Sequence, residues 1–324
     1  MTVLVLGATG FVGRALVPAL VLAKERVRAA SRTRHVGGPA GVEWVQCDIG
    51  AAETLGRAME GIDCIYYLVH SMGDAARHEF RRLERQCAAN VTRVAAESGC
   101  RRIIYLGGVE PRGRPSEHLA SRLEVGSILR AGKVPTVELR AAMIIGNGSA
   151  SWQIVRDLAM RLPVMLLPRW LESQSCPIAL EDVVTALLDA RNIPLERSTW
   201  FDIPGPEVLH ARELLMLVAD LQGRRIPFVR VPLLTPRLSA GWLRLVSGAD
   251  YHVARELVLG LRGHILPRDD RYWQITGHPP TCSIREAARA ALETEARRND
   301  LGGRVAAKEE QFVATLGRLL STAR

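Results

Sequence analysis

Residues 1–14 read MTVLVLGATGFVGR, and this stretch decides the fold. An apolar run of strand length, 3–6, is followed by glycines at positions 7, 10 and 13 and then by a helical pattern. In such a unit Gly7 permits a tight turn, Gly10 lets the backbone approach a pyrophosphate, and Gly13 lets the helix pack closely on the strand. The free N–H groups at the helix start would face the phosphates. The spacing therefore predicts a dinucleotide-binding turn, as opposed to a simple glycine turn, with cofactor contacts from Gly7, Thr9, Gly10, Phe11, Val12 and Gly13.

The composition is that of a globular protein with an unusual preference for arginine. The chain has 324 residues, of which 48% are hydrophobic, enough to build a large core. Its formal net charge is +9, yet the only lysines among its 43 basic residues are Lys24, Lys133 and Lys308. The arginines are spread along the chain and interleaved with acidic residues, so they form no stripe for a nucleic acid. We therefore expect a small-molecule substrate and no nucleic-acid partner.

The cysteines and the chain start favour a cytoplasmic location. Six cysteines, at positions 47, 64, 87, 100, 176 and 282, have no paired spacing, which indicates buried thiols rather than a disulfide framework or a zinc site. No other cluster of ligands suggests a metal. The sequence shows no basic and apolar leader, and its apolar runs are too short to cross a bilayer. We expect a cytoplasmic protein with no transmembrane segment.

Strand patterns alternate with helix patterns, which predicts an α/β fold with a doubly wound parallel sheet, the Rossmann arrangement. Strands are expected at 3–6, 26–30, 42–47, 64–69, 102–106 and 136–139, and helices at 14–24, 51–59, 75–98 and 116–130. Pro18 is expected to kink the first helix or to mark the end of its first turns. In the helix over 75–98, the apolar face is expected to carry Phe80, Leu83, Cys87, Val91 and Val94, and Gly99 to end it.

The pattern loosens after residue 149. We expect a Rossmann domain over 1–150, completed by 176–204 with strands at 177–180 and 199–203, and a smaller, mostly helical C-terminal substrate cap over 205–324, with 151–175 as a cap segment. Helices are predicted at 151–161, 211–221, 285–297 and 305–320. The stretches 226–234 and 238–261 are apolar or amphipathic and are assigned to the cap.

The end of the second strand bears on the choice of cofactor. It reads Ser31-Arg32-Thr33-Arg34, without the acidic residue that binds the ribose 2′-hydroxyl of NAD. Arginines at this place can hold a 2′-phosphate, so Ser31, Arg32 and Arg34 favour NADP(H) over NAD(H). The alternative is that Arg32 and Arg34 are solvated loop residues. Asp48, followed by Ile49, is expected either to meet the adenine amino group or to cap the next helix, and the two interpretations stand about even.

Two further strand ends should lie near the cofactor, because the carboxyl ends of parallel strands line the ligand crevice. The fourth strand ends with Leu68, Val69 and His70, followed by Ser71, and the fifth ends at Gly107-Gly108. By contrast Tyr66, Tyr67 and Tyr105 lie within apolar strands, where aromatic residues pack, so they are poor candidates for proton donors.

These features together resemble the extended, atypical branch of the short-chain dehydrogenase/reductase superfamily. The resemblance is carried by residues 7–13, Cys47-Asp48-Ile49, Asn90, Leu139-Arg140, Ile145-Gly146, Pro177-Ile178 and Asp182-Val183. Within the branch, residues 104–108, 118–126 and 145–151 look like a bacterial group of NAD(P)-binding proteins. That group is related to regulators similar to the nitrogen metabolite repressor and to an NADPH-binding accessory subunit of respiratory complex I. The resemblance implies the Rossmann fold and a nicotinamide cofactor.

The chain departs from the superfamily at the catalytic residues. Enzymatic members carry Tyr-x-x-x-Lys on the helix after the fifth strand and Ser or Thr at the end of that strand. Here His118 and Arg122 have the matching spacing, and glycines occupy the strand end. Residues four apart share a helix face, so both side chains can point at the nicotinamide. Histidine is a competent proton donor, whereas a guanidinium is not a proton source, and Arg122 is expected to bind the ribose. The alternative to a catalytic role is that His118 is a helix-start residue that caps the helix or forms local hydrogen bonds.

The sequence hypothesis is an NADP(H)-dependent oxidoreductase with catalytic residues His118 and Arg122, acting on a mostly apolar carbonyl or enone. The loss of tyrosine, lysine and serine together motivates an alternative, a non-catalytic NADPH-binding sensor or assembly protein. A third hypothesis, action on a nucleotide sugar as an epimerase or dehydratase, fits the extended fold but lacks the tyrosine. By analogy with the superfamily, the long helices after the fourth and fifth strands would form a homodimer interface.

Overall fold

The described residues of the protein, a computed structural model, are 1–35, 37–69, 77–161, 165–167, 172–225, 227–230 and 263–296. Some sequence predictions lie outside them: those for His70 and Ser71, the helix over 305–320, the stretch 238–261, most of 226–234, and the side chain of Phe80.

Seven strands form the central sheet: β1 (Thr2–Leu6), β2 (Arg26–Ser31), β3 (Val42–Gln46), β4 (Cys64–Tyr67), β5 (Arg102–Gly108), β6 (Thr136–Ala141) and β11 (Thr199–Asp202). Short strands are β7 (Ile144–Ile145), β8 (Met165–Leu167), β9 (Gln174–Ser175), β10 (Ile178–Ala179), β12 (Leu209–His210) and β13 (Phe228–Arg230). The helices are α1 (Phe11–Leu22), α2 (Ala52–Met59), α3 (Arg77–Glu97), α4 (Glu117–Ala131), α5 (Ala150–Arg161), α6 (Leu180–Asp189), α7 (Ala211–Leu221), α8 (Arg271–Thr276) and α9 (Ile284–Ala296).

The order of the main sheet is β11-β6-β5-β4-β1-β2-β3, and every neighbouring pair is parallel. The strand order reverses between β1 and β4, because the chain builds outward from β1 in one direction and then returns to continue in the other. Such a reversal opens a crevice at the carboxyl edge, where ligands of doubly wound sheets bind. The glycine turn follows β1 directly and therefore lies at this crevice. The predicted Rossmann sheet is confirmed.

Buried side chains cover both faces of the sheet, as expected for parallel strands. One cluster packs α1 and α6 against the sheet together with the rings of Tyr272 and Trp273. The cluster on the opposite face packs α2, α3 and α4. A third cluster joins α5, α7 and α9 outside the sheet. The domain limits given above remain a prediction.

Three element predictions need correction. The first helix begins at Phe11, not Arg14, and continues through Pro18, because a proline removes only one backbone donor and the buried side chains Leu16, Val17 and Leu20 hold the helix on the sheet. Residues 177–180 do not add a strand to the main sheet; β10 has two residues and pairs with β7. The strand predicted over 64–69 is shorter than expected: β4 ends at Tyr67, and Leu68 and Val69 belong to the loop after it.

The predicted apolar face of α3 is wrong at one position. Cys87, Val91 and Val94 are buried, but the Leu83 residue is 44% exposed. Glu84 is buried in its place and accepts a hydrogen bond of 3.3 Å from the Ser121 hydroxyl of α4. Packing of α3 on α4, rather than on the sheet, decides which side of this turn is covered.

The thiols behave as predicted. Five of the six cysteines are buried, Cys282 is half-buried, and all are free. Burial raises the pKa of Cys47 and of Cys87 to about 11, so neither thiol is a nucleophile at neutral pH. In the part of the chain that the structure describes, no group of three metal-ligating side chains is found, and none of the helices there is long and apolar enough to cross a bilayer.

Candidate cofactor and active site

The glycine turn is shaped by two close backbone contacts. Gly7 has φ +86°, and a Cβ on it would lie 2.9 Å from the carbonyl carbon of Leu68. A Cβ on Gly13 would lie 2.2 Å from the carbonyl oxygen of Gly7, because α1 crosses directly over the turn. The Gly10 amide donates a 3.0 Å hydrogen bond to the same oxygen and closes the turn. Gly7 and Gly13 are thus required by the protein's own packing.

Gly10 has a different role, because it faces outward. Thr9 and Gly10 are exposed, and Gly10 is the N-cap residue of α1 with no side-chain hydrogen bond to the helix. The first N–H groups of a helix have no partner within it, and the helix dipole makes this end positive. Phe11 and Val12, both half-buried, follow in the first turn. Backbone donors at the start of a helix that is capped by glycine fit a pyrophosphate.

The end of β2 offers two exposed cations beside this turn. Ser31 is buried, whereas Arg32 and Arg34 are exposed and form no ion pair with any described residue. The Arg32 carbonyl accepts a 3.1 Å hydrogen bond from the side-chain Nε2 of Gln46, which holds the loop to β3. The His35 ring lies against the Trp44 ring, with centroids 3.8 Å apart. Because β2 pairs with β1, the loop that carries Arg32 and Arg34 leaves the same edge of the sheet as the glycine turn.

Asp48 does not cap α2, so that interpretation of the sequence is wrong. Its Oδ1 accepts a 2.9 Å hydrogen bond from the Gly50 amide, and the N-cap residue of α2 is Ala51. A local turn competes successfully with capping because the carboxylate reaches the amide two residues ahead. The interpretation of Asp48 and Ile49 as adenine contacts remains a prediction. Asn90 is one of the residues that carry the resemblance to the superfamily. Its side-chain amide donates to the carbonyls of Ile49 (3.3 Å) and Gly50 (3.1 Å) and fixes this loop on α3.

The start of α4 is docked on the end of β5. The Ser116 hydroxyl caps the helix by accepting from the Leu119 amide at 3.3 Å. A Cβ on Gly108 would lie 2.7 Å from Cδ1 of Leu119, the end of a side chain that would have to change its rotamer to make room. The helix start therefore packs closely on the glycine end of β5.

His118 and Arg122 are both half-buried at this end of α4. The Arg122 guanidinium donates to the Leu106 carbonyl and lies 5.9 Å from the centroid of the Tyr105 ring. Burial lowers the pKa of His118 to about 4, with a further contribution from the Arg122 cation. The imidazole is therefore neutral at pH 7. A neutral imidazole accepts a proton or orients a water, but it is a poor acid.

The tyrosines are packing residues, as predicted. The Tyr66 hydroxyl donates to the Leu187 carbonyl at 3.1 Å, and the Tyr105 hydroxyl donates to the Arg122 carbonyl at 3.0 Å. Tyr67 packs edge-on against Tyr105, with centroids 5.6 Å apart. Burial raises the pKa of all three phenols well above 10, which makes them unsuitable as proton donors.

Sequence reasoning missed a buried carboxylate beside the site. Glu138 is fully buried on β6, and its oxygens accept from the Nε atoms of Arg130 (2.7 Å) and Arg140 (2.9 Å). A Cβ on Gly107 would lie 2.9 Å from Glu138 Oε1, and one on Gly126 would lie 2.5 Å from the carboxylate. Glycines on β5 and α4 thus make room for an ion pair between sheet and helix. An acidic residue inside an apolar strand was the one available signal.

Comparisons with known sequences agree with this geometry. Residues 7–160 match a family model described as NAD(P)H-binding. Among curated proteins the chain is similar to sterol demethylase protein B of Methylococcus capsulatus, with 31% identity over 129 residues. That match spans 36% of this chain and only 39% of the relative.

Solved structures show the same fold across most of the chain. UDP-glucose 4-epimerase from Thermotoga maritima superposes with a TM-score of 0.68 at 14% identity, over 90% of this chain and 98% of the epimerase. MoeE5 in complex with UDP-glucuronic acid and NAD gives 0.70 at 16%, over 92% and 99%. A nucleoside-diphosphate-sugar epimerase from Staphylococcus aureus gives 0.71 at 14%, over 89% and 100%.

The family match and the structural likeness both agree with the dinucleotide-binding turn that the glycines predict. At these identities the solved structures show the fold, and the family match adds the nicotinamide dinucleotide. Residues 7–160 match an NAD(P)H-binding family model, and the chain has a Rossmann fold.

Proposed function

We propose that the protein is an NADP(H)-dependent oxidoreductase that acts on a mostly apolar carbonyl or enone substrate. One observation carries the proposal: the glycine turn and the docked start of α4 share one edge of the sheet. Leu6, Tyr67 and Tyr105 are register partners on the adjacent strands β1, β4 and β5. Two strand spacings are about 10 Å, which is within the length of a dinucleotide.

The bound nicotinamide would supply or accept a hydride. In this proposal the turn at 7–13 holds the pyrophosphate, Arg32 and Arg34 hold the 2′-phosphate, and Arg122 meets the ribose. A water that the neutral His118 imidazole orients gives the substrate oxygen its proton when the carbonyl is reduced and takes it back when the alcohol is oxidised, because the imidazolium is scarce above its pKa of about 4. Bulk solvent supplies and removes this proton.

The similarity to a sterol demethylase protein supports an apolar substrate. Polycyclic ketones and alcohols therefore belong in the first substrate screen, together with simpler enones. No group of the described chain suggests a covalent step, because the cysteine thiols are held protonated by burial.

Cofactor preference is tested by calorimetric titration with NADPH and NADH. We expect NADPH to bind at least tenfold more tightly. Replacing either Arg32 or Arg34 by alanine should weaken NADPH binding by roughly 10- to 100-fold, since a hydrogen bond to a charged group contributes about 1.5–3 kcal/mol. NADH binding should change less than threefold. Arg57→Ala, which removes an exposed arginine paired with Glu53 on α2, is the control. Equal losses for both cofactors would contradict the role given to these arginines.

The protonation state of His118 is tested by an NMR titration of the imidazole, assigned by comparison with His118→Asn. We expect a midpoint near 4 and, in Arg122→Met, a higher midpoint, because the neighbouring cation is lost. In the unfolded chain the imidazole has its ordinary pKa near 6.5. Between pH 6.5 and pH 4 the unfolded state therefore binds more protons than the folded state. As the pH is lowered through this window, the free energy of unfolding should therefore fall by at most about 1.4 kcal/mol per pH unit, and by less in His118→Asn. A midpoint at 6.5 in the folded protein would rule out the buried neutral imidazole.

The sensor alternative predicts a different outcome. A sensor would bind NADPH tightly and show no turnover with any carbonyl in the panel. An oxidoreductase that uses His118 should lose about 10²- to 10⁴-fold in kcat when His118 becomes alanine, the usual contribution of general acid–base catalysis. Unchanged turnover in His118→Ala would remove this residue from the mechanism while leaving the cofactor assignment intact.

A further inference from the structure

Residues 263–270, here named the strap, cross from the short strand β9 to the loop that leads into α4. On the β9 side, the Ile265 amide donates to the Gln174 carbonyl at 2.8 Å, and the Gln174 amide donates to His264 Nδ1 at 3.2 Å. On the other side, the Arg112 amide donates to the His264 carbonyl at 3.2 Å. The strap thus bridges two segments that are about 60 residues apart in the sequence.

Arg268 is the most connected residue of the strap. Its amide donates a 2.6 Å hydrogen bond to Oδ2 of Asp202, a buried carboxylate at the end of β11. Its guanidinium pairs with Glu110 at 2.5 Å and lies 5.2 Å from the centroid of the Trp200 ring. The Arg140 guanidinium lies over the same ring at 4.3 Å and reaches Glu110 at 3.7 Å. Arg268 therefore joins the strap to β11 and to the loop before α4.

Glu110 lies in the loop between β5 and α4, six residues before the Ser116 cap and eight before His118. The loop leaves β5 where the Val109 amide donates to the Ala141 carbonyl at 3.2 Å. Between that bond and the helix cap, the described contacts of this loop to the rest of the chain include Glu110 with Arg268 and Arg140, and Arg112 with His264. Releasing the strap would therefore loosen the segment that sets the position of the helix start.

We propose that Arg268 is a positioning residue: through Glu110 and Arg112 the strap holds the loop 109–116, and with it His118, in place at the end of β5. The proposal rests on the proposed function only for its catalytic consequence. The mechanical link between the strap and the loop stands on the contacts alone. Residue 271 supplies a matched comparison, because Arg271 is also half-exposed to solvent and lies 5.8 Å from the Trp200 ring but pairs with Asp269 instead of Glu110.

The first test measures amide hydrogen exchange across 109–120 in the full-length protein with and without NADPH. In Arg268→Met we expect the amide exchange rate in this segment to rise about three- to tenfold, because the loop loses a partly exposed ion pair that anchors it and opens more often. Arg271→Met should leave the segment unchanged, and Arg268→Lys should restore most of the protection. Unchanged exchange in Arg268→Met, or an equal rise in Arg271→Met, would overturn the link. This readout does not depend on any enzymatic activity.

The second test asks whether the link acts through His118, and uses a substrate that wild-type protein turns over. Arg268→Met should lower kcat about three- to tenfold while the NADPH Kd stays within twofold. In a His118→Ala background the same substitution should have no further effect on kcat, because the positioned group is gone. Additive losses in the double variant would show a merely structural role and refute the positioning. If His118→Ala alone has no effect, the catalytic role in the proposed function fails, and the exchange experiment still decides the link.

Discussion

Replacing Gly13 by alanine is expected to abolish NADPH binding and to destabilise the protein. The added Cβ would lie 2.2 Å from the Gly7 carbonyl oxygen and 2.8 Å from the Ala8 backbone, so α1 must move away from the turn. Both contacts are with backbone, which has no rotamer to change. Overpacking usually costs about 1–3 kcal/mol, and a rigid backbone contact belongs at the upper end. A shift of α1 also displaces the N–H groups that face the phosphates.

Calorimetry with NADPH and urea unfolding of the free protein measure the two effects separately. Gly56→Ala is the control, because Gly56 lies inside α2 with open space around its Cβ position. That substitution should leave the NADPH Kd unchanged and stabilise the helix by up to about 1 kcal/mol. If Gly13→Ala binds NADPH within threefold of wild type, the close approach of helix and turn is not needed for the cofactor.

Replacing Glu138 by glutamine is expected to destabilise the protein by about 3–5 kcal/mol, the usual cost of removing one partner from a buried ion pair. The side chain keeps its volume, so the effect reports charge and not a cavity. The buried Arg140 of β6 would lose the carboxylate to which its Nε and Nη2 atoms donate. Arg130 of α4 would lose the same charged partner. Because Gly107 and Gly126 pack against this carboxylate, the end of β5 and the helix α4 should loosen together.

Urea unfolding checks this prediction, with Glu124→Gln as the control. Glu124 also pairs with two arginines, Arg81 at 2.9 Å and Arg85 at 3.5 Å, but on the surface of α3 and α4. Exposed pairs contribute less than about 1 kcal/mol, so its loss should be small. A difference below 1 kcal/mol between the two variants would mean that Arg130 and Arg140 find other partners when the carboxylate is lost.

Much of the fold, including the glycine turn after β1, is predictable from the sequence, and the reason is local. Gly7 must adopt a positive φ, and an unbroken apolar strand followed by a helix leaves few alternatives to a dinucleotide turn. Tertiary contacts override two of the local signals: Pro18 stays inside a packed helix, and Glu84 is buried where Leu83 was expected. The third failure is itself local, because Asp48 accepts a hydrogen bond from the Gly50 amide and closes its own turn.

The sequence by itself determined the parallel sheet and the glycine turn after β1, because each follows from periodicity or turn chemistry within a few residues. Only the tertiary structure decided the rest. Burial makes His118 neutral, and packing places Glu138 between Arg130 and Arg140 and brings Arg268 to Glu110. These effects depend on desolvation and on contacts between distant segments. No local pattern records them, because both arise only when the chain has folded.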